Sequence, residues 1–253
     1  MNINMENLFF FNLETASVPL LDLSFAISAS SQHAMKVFNL MKESIGRIIE
    51  RYKTSNIRYA LLTFGDFANR HVNFTSDPPS SEALKKSIEN TRQPSGEPNL
   101  KAALEEAKMM FKEAPSRPGA KRVLVVIMDR KSKSDSKEVA EHAKAMEDSN
   151  IKVVPVAIGS QASLSELEKV TTNKKFIVSV GIDEDPGRLA EEIIRKAVKS
   201  MYFKLFIVIF FLRFRVLSHC VVTVTAVRRI HNVMVLSQPD GMHAVILVTY
   251  FCK

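Results

Sequence analysis

Three polar loops hold the residues of this chain best suited to chemistry: Ser28–Gln32, Ser95–Leu100 and Asp129–Lys133. Ser30, His33 and Asp129 are the residue types of a nucleophile, a base and an orienting acid. His33, however, falls at the start of a helix just beyond Ser30, and nothing supplies an obvious oxyanion hole, so a hydrolase triad is set aside. No Gly-x-Gly-x-x-Gly segment, Walker loop or Gly-x-Ser-x-Gly elbow occurs, which leaves nucleotide binding and α/β-hydrolase chemistry without a motif. His71, His142, His219, His231 and His243 show no zinc-ligand spacing. The expectation is a chain that is not an enzyme. Asn73-Phe74-Thr75 is an N-glycosylation sequon, which matters only in a secreted protein.

The loops are positioned by an alternation of short β-rich runs and amphipathic helices. Leu20–Ile27 predicts a strand, and Phe38, Met41, Ile45, Ile48 and Tyr52 recur on one helical face. Ile57–Phe64 and, after the Gly65-Asp66 turn, His71–Phe74 predict two more strands. Ser80 or Ser81 caps a helix carrying Leu84 and Ile88. Leu100, Leu104, Ala107 and Phe111 form a further helical stripe, ended by Pro115 and the Pro118-Gly119 turn. Arg122–Met128 is apolar almost throughout, as a central parallel strand buried on both faces must be. Val139, Ala143 and Met146 mark a helix. Ile151–Ile158 is a buried strand blemished by Pro155, which cannot donate to a ladder. A short helix from Ser163 or Ser165, a strand over Lys175–Val180 and a helix carrying Leu189, Ile193 and Ala197 complete the pattern. Strands alternating with helices imply an α/β, doubly wound, mostly parallel sheet with helices on both faces, Rossmann-like in architecture. Such sheets bind ligands at the carboxyl ends of their strands, where the three polar loops lie.

The net charge of +8 is unevenly spread. Seven of the 35 basic residues and one of the 27 acids fall in residues 199–253, so the rest of the chain stands at +2 and the tail at +6. Whole-chain basicity is therefore no argument for nucleic acid, and none is expected as a partner. Both cysteines, Cys220 and Cys252, lie in the tail, so the α/β region has no disulfide frame and no thiolate metal site. Leu8–Phe11 is too short an apolar run for a signal peptide.

Pro19–Gln32, Ile57–Phe74, Gly96–Leu104 and Lys121–Asp129, followed by Ile151–Gly159 and Leu164–Leu167, together resemble a von Willebrand factor A (vWA) domain. The resemblance covers residues 17–198, after an extension over 1–16. Members of that family often hold Mg²⁺ or Mn²⁺ in a metal-ion-dependent adhesion site. The ligands are an Asp-x-Ser-x-Ser loop, a Thr from a second loop and an Asp after the central strand. Hard cations want oxygen ligands, and Mg²⁺ demands near-octahedral geometry. Matched position by position, the resemblance places Ser28, Ser30, Gln32, Pro98 and Asp129 at these places. Only Ser30 and Asp129 keep the family's residue type, and Pro98 has no side-chain oxygen. The set implies a degenerate site with no cofactor, or at most weak Mg²⁺ or Mn²⁺ binding. Ser28–Ser31 then reads as a polar turn whose serine caps the next helix. Arg130, Lys131 and Lys133 follow Asp129. They form either a solvated loop with Arg130 paired to Asp129, or, with Ser30 and Asp129, a surface whose cations take the ion's place and attract an acidic partner.

Residues 199–253 break the pattern. Leu205–Leu212 is intensely apolar, but a full span over 205–227 includes Arg213 and Arg215. Two central arginines cost roughly 5–7 kcal/mol, and the fifteen Leu, Ile, Phe and Val residues return roughly 4.5–9 kcal/mol, so a membrane segment is not decided. A poor anchor, appended strands and a non-native gene end stay open, the last being favoured. By its resemblance to A domains of matrilins and non-fibrillar collagens, the chain is expected to bind matrix or cell-surface proteins outside the cell. An intracellular assembly module of a larger complex is the alternative.

Overall fold

A computed structural model describes residues 20–198, except 31–32, 53–55, 78 and 172, and the backbone of two strands at 233–237 and 243–247. The expectations for 1–16, for Gln32 and for the 205–227 segment lie outside the described residues.

The chain divides into two units, residues 1–199 and 200–253. In the first, β1 (Leu21–Ser28), β2 (Ile57–Phe64), β3 (Ala68–Val72), β4 (Lys121–Met128), β5 (Ile151–Ile158) and β6 (Val178–Val180) form one six-stranded sheet in the order β3-β2-β1-β4-β5-β6. Every pair is parallel except β2 with β3, which is an antiparallel hairpin. The helices are α1 (Ala34–Arg51), α2 (Ser81–Glu89), α3 (Leu100–Glu113), α4 (Ser136–Asp148), the short α5 (Leu164–Leu167) and α6 over residues 186–198. In the second unit, β7 (Val233–Ser237) pairs antiparallel with β8 (His243–Leu247).

Both β1 and β2 are buried along their whole length, which the crossover helices of a parallel sheet require. Strand alternation sends Ala26, Leu62, Phe64, Leu124 and Val126 to one face. There they pack with Leu104, Ala107 and Phe111 of α3 and with Val139 and Met146 of α4. Leu23, Phe25 and Ile27 of β1 point to the other face and are buried, as are Phe38, Met41, Ile45 and Ile48 of α1.

Near the start of the central strands, away from the polar loops, Asp22 and Arg58 stand side by side in register. Arg58 donates from Nε to Asp22 Oδ1 at 2.8 Å and from Nη2 to Oδ2 at 2.7 Å, and from Nη1 to the Pro115 carbonyl at 3.0 Å. Arg117 Nη1 lies 3.6 Å from the same carboxylate. Both partners are buried, so this ion pair lives in the core.

Two local expectations shift, and a third holds. The strand after the Gly65-Asp66 turn is Ala68–Val72 rather than His71–Phe74, because the tight turn starts pairing at Phe64 and Ala68. Phe74 lies beyond it and packs on Phe111, ring centroids 5.0 Å apart. The last strand is only Val178–Val180, with Lys174–Phe176 wound into a 3₁₀ turn capped by Asn173. Pro155 stays within β5. It stands one residue before β6 begins to pair, so its missing N–H is tolerated on that side.

Candidate functional site

The three middle strands, β2, β1 and β4, run parallel, so Phe64, Ser28 and Met128 finish at one end of the sheet. The loops that follow them, together with the segment entering α3, form the candidate site. Asp129, 1% exposed, begins the loop after β4. Its Oδ1 and Oδ2 accept from the Ser30 amide at 2.9 and 3.1 Å, so the fold brings Ser30 and Asp129 together as expected. Ser28 is the fully buried last residue of β1. The Oγ atoms of Ser28 and Ser30 have no hydrogen-bond partner. The N-cap of α1 is His33, without a side-chain cap bond, where a serine cap was expected. Among the described residues of this turn, Ser30 is bound to Asp129 through its backbone amide, and its hydroxyl does not cap the helix.

Pro98 is buried, and its carbonyl accepts from the Lys133 amide and from Ser132 Oγ, both at 2.9 Å. The first amides of α3 are satisfied from within the protein. Leu100 N donates to Ser132 Oγ at 3.0 Å, Lys101 N to Ser134 Oγ at 3.1 Å and Ala102 N to Asn99 Oδ1 at 3.1 Å. These are the orphan donors of a helix start, closed here by the Asn99 N-cap and by two serines of another loop. Ser132 N in turn donates to Glu166 Oε2 at 2.9 Å, and burial pushes the Glu166 carboxyl up from its ordinary range. Sequence reasoning named Arg130, Lys131 and Lys133 and missed Ser132, Ser134 and Glu166. Two serines spaced one apart among lysines was the only local signal.

The cations do not gather on Asp129. Arg130 pairs with Glu97 at 3.2 Å, which corrects the expected Arg130–Asp129 pair: the carboxylate of Asp129 is buried, while Arg130 is exposed. Lys133 pairs with Asp66 and holds that carboxyl below its usual range. Lys131 is exposed, and its amide donates to the Gln161 carbonyl at 3.1 Å. Close backbone approach binds the loops further. Gly96 sits at φ +82°, and a Cβ there would lie 1.9 Å from Asp66 Oδ2. The Asp66 amide donates to the Ser95 carbonyl at 3.2 Å, Asn99 N to the Gly65 carbonyl at 2.9 Å, and Gln93 Nε2 to the Ala29 carbonyl at 3.1 Å. The result is one bonded surface. Asn73 is exposed but follows β3, which runs away from this end.

A model of the von Willebrand factor type A domain matches residues 22–187. The chain belongs to this family. The vWA domain of the chain is 28% identical over 178 residues to the mouse von Willebrand factor A domain-containing protein 1, a match spanning 68% of this chain and 42% of that protein. The chain thus covers well under two thirds of that relative's length. Among solved structures it resembles proximal thread matrix protein 1 of the mussel byssus with a zinc-occupied MIDAS motif (the metal-ion-dependent adhesion site). The TM-score is 0.61 at 20% identity, over 71% of this chain and 46% of that one. The manganese-loaded TRAP protein of Plasmodium vivax gives a TM-score of 0.56 at 15% identity, over 68% and 71% of the two chains. These likenesses establish the fold. vWA domains are generally protein-interaction modules. At the positions matched to the metal ligands, the described residues supply one carboxylate (Asp129), two hydroxyls (Ser28 and Ser30) and a proline. Among the described residues no three His, Cys, Asp or Glu side chains cluster as metal ligands do.

Proposed function

We propose that this chain is a non-enzymatic protein-binding module of the adhesive, extracellular-matrix type, and that it grips its partner without a divalent ion. The observation that carries this reading is the donor set itself. Both oxygens of its single carboxylate already accept from the Ser30 amide, and the Pro98 carbonyl is committed to Lys133 and Ser132. Mg²⁺ seeks oxygens that also answer its charge, and two hydroxyls beside one carboxylate supply a single negative charge, too little to hold it firmly. The same end of the sheet instead presents Arg130, Lys131 and Lys133 on a rim stitched by hydrogen bonds, which suits an acidic patch on a partner. The likeness to a mussel thread matrix protein and the exposed Asn73 sequon support an extracellular setting.

The test is binding of the full chain to matrix laid down by cultured connective-tissue cells, with and without a chelator. Binding is expected to survive chelation and to fall about tenfold or more when Arg130, Lys131 and Lys133 are all changed to Ala. Loss on chelation, or indifference to the triple change, would overturn the reading.

A further inference from the structure

Asn73-Phe74-Thr75 is the only Asn-x-Ser/Thr triplet in the chain. The fold presents it to one side. The in-and-out alternation of β3 runs on past the end of the strand: Arg70 and Val72 are half-buried, Asn69, His71 and Asn73 are exposed, and Phe74 is buried. Phe74 packs on Phe111 and under the Arg58 guanidinium, which lies 5.8 Å from its ring centroid. The middle residue of the triplet is thus pinned in the core, which turns Asn73 outward. Thr75, Ser76 and Asp77 beyond it are exposed too, so a bulky group on Asn73 displaces no packed residue.

The place of Asn73 in the sheet gives such a group a role. β3 is an end strand, and among the described residues no strand pairs with its outer side. Open edges invite pairing with other chains, and proteins commonly cover them. β3 also carries the chain about 17 Å from Ala68 to Asn73, away from the loops that hold Asp129.

We propose that Asn73 carries an N-linked oligosaccharide, which covers the outer edge of β3 and leaves the loop end of the sheet free for a partner. This rests on the extracellular setting proposed above. In the transfer, Asn73 Nδ2 forms a bond to C1 of an oligosaccharide carried on a polyprenyl diphosphate. The C1–O bond breaks, the diphosphate leaves with the electron pair, and Nδ2 gives up one proton. Thr75 supplies the hydroxyl that the transfer requires two positions on.

The test expresses the full chain behind an added secretory signal sequence in cultured animal cells. Peptide N-glycosidase in H₂¹⁸O converts a glycosylated asparagine to aspartate bearing ¹⁸O, which peptide mass spectrometry reads. The expected result is the label at position 73 in most of the secreted protein and none in Thr75→Ala. The Thr75→Ala protein, made without the glycan, should self-associate severalfold more by light scattering, and the two proteins should bind matrix equally. An unlabelled position 73 in the secreted chain would overturn the inference. So would equal self-association of the two proteins, or matrix binding seen only without the glycan. Loss of matrix binding by both proteins would instead count against the broader reading, with the label at 73 still supporting this one.

Discussion

Arg58→Ala breaks the buried pair with Asp22 and leaves that carboxylate 2% exposed, with Arg117 Nη1 at 3.6 Å as the nearest remaining cation. Removing one partner of a buried ion pair costs about 3–5 kcal/mol, because the other charge stays desolvated without compensation. Two charge-assisted bonds of 2.7 and 2.8 Å are lost, together with the donor to the Pro115 carbonyl. For a domain of this size the loss corresponds to roughly 6–20 °C in Tm. Urea unfolding followed by far-ultraviolet circular dichroism measures it directly. Asp22→Leu combined with Arg58→Met removes both charges and should come within about 1 kcal/mol of the parent, or exceed it. Matrix binding by folded Arg58→Ala protein should be unchanged, since Asp22 and Ser28 stand about 20 Å apart along β1. A loss below about 1 kcal/mol for Arg58→Ala, or a double variant as unstable as the single one, would refute the reasoning.

Ser24 is fully buried with an unpartnered Oγ, so Ser24→Ala should be neutral or stabilise by about 1 kcal/mol in the same assay; clear destabilisation would show a bond to that hydroxyl. Gly96→Ala should cost about 1–3 kcal/mol and weaken matrix binding, since it combines strain at φ +82° with a clash on Asp66. Gly119→Ala, at φ +80° in open space, should bear the strain alone, and equal losses would discount the clash. Burial, aided by the positive charge of Lys196, pulls the Lys152 ammonium down to about 8 from an ordinary 10.5. Between those values the unfolded chain binds the extra proton, so this group adds stability as pH rises through the window. Lys152→Met should therefore gain most over the parent near pH 7 and lose that advantage by about pH 10.5. A pH-independent difference would contradict the shift.

Much of this molecule was legible in its residues because burial writes itself plainly. Arg122–Met128 and Ile151–Ile158 are apolar on both faces, and the α1 stripe of Phe38, Met41, Ile45 and Ile48 is buried where the spacing put it. Less legible were features that depend on partners distant in sequence. Residues 68–72 (ANRHV) carry little apolar signal, and only pairing with β2 defines that strand. Arg130 was expected to answer its neighbour Asp129. The fold buries Asp129 against the Ser30 amide and brings Glu97, 33 positions away, to Arg130. The serines that cap α3 from the 129–134 loop belong to the same class: their role exists only once β4 and α3 are adjacent.

The most direct test of the account is calorimetric titration of Mg²⁺ and Mn²⁺ into the full chain and into a Ser28→Asp, Gln32→Ser, Pro98→Thr variant. The account predicts specific binding only by the variant. Specific binding by the natural chain, abolished by Asp129→Ala, would contradict it.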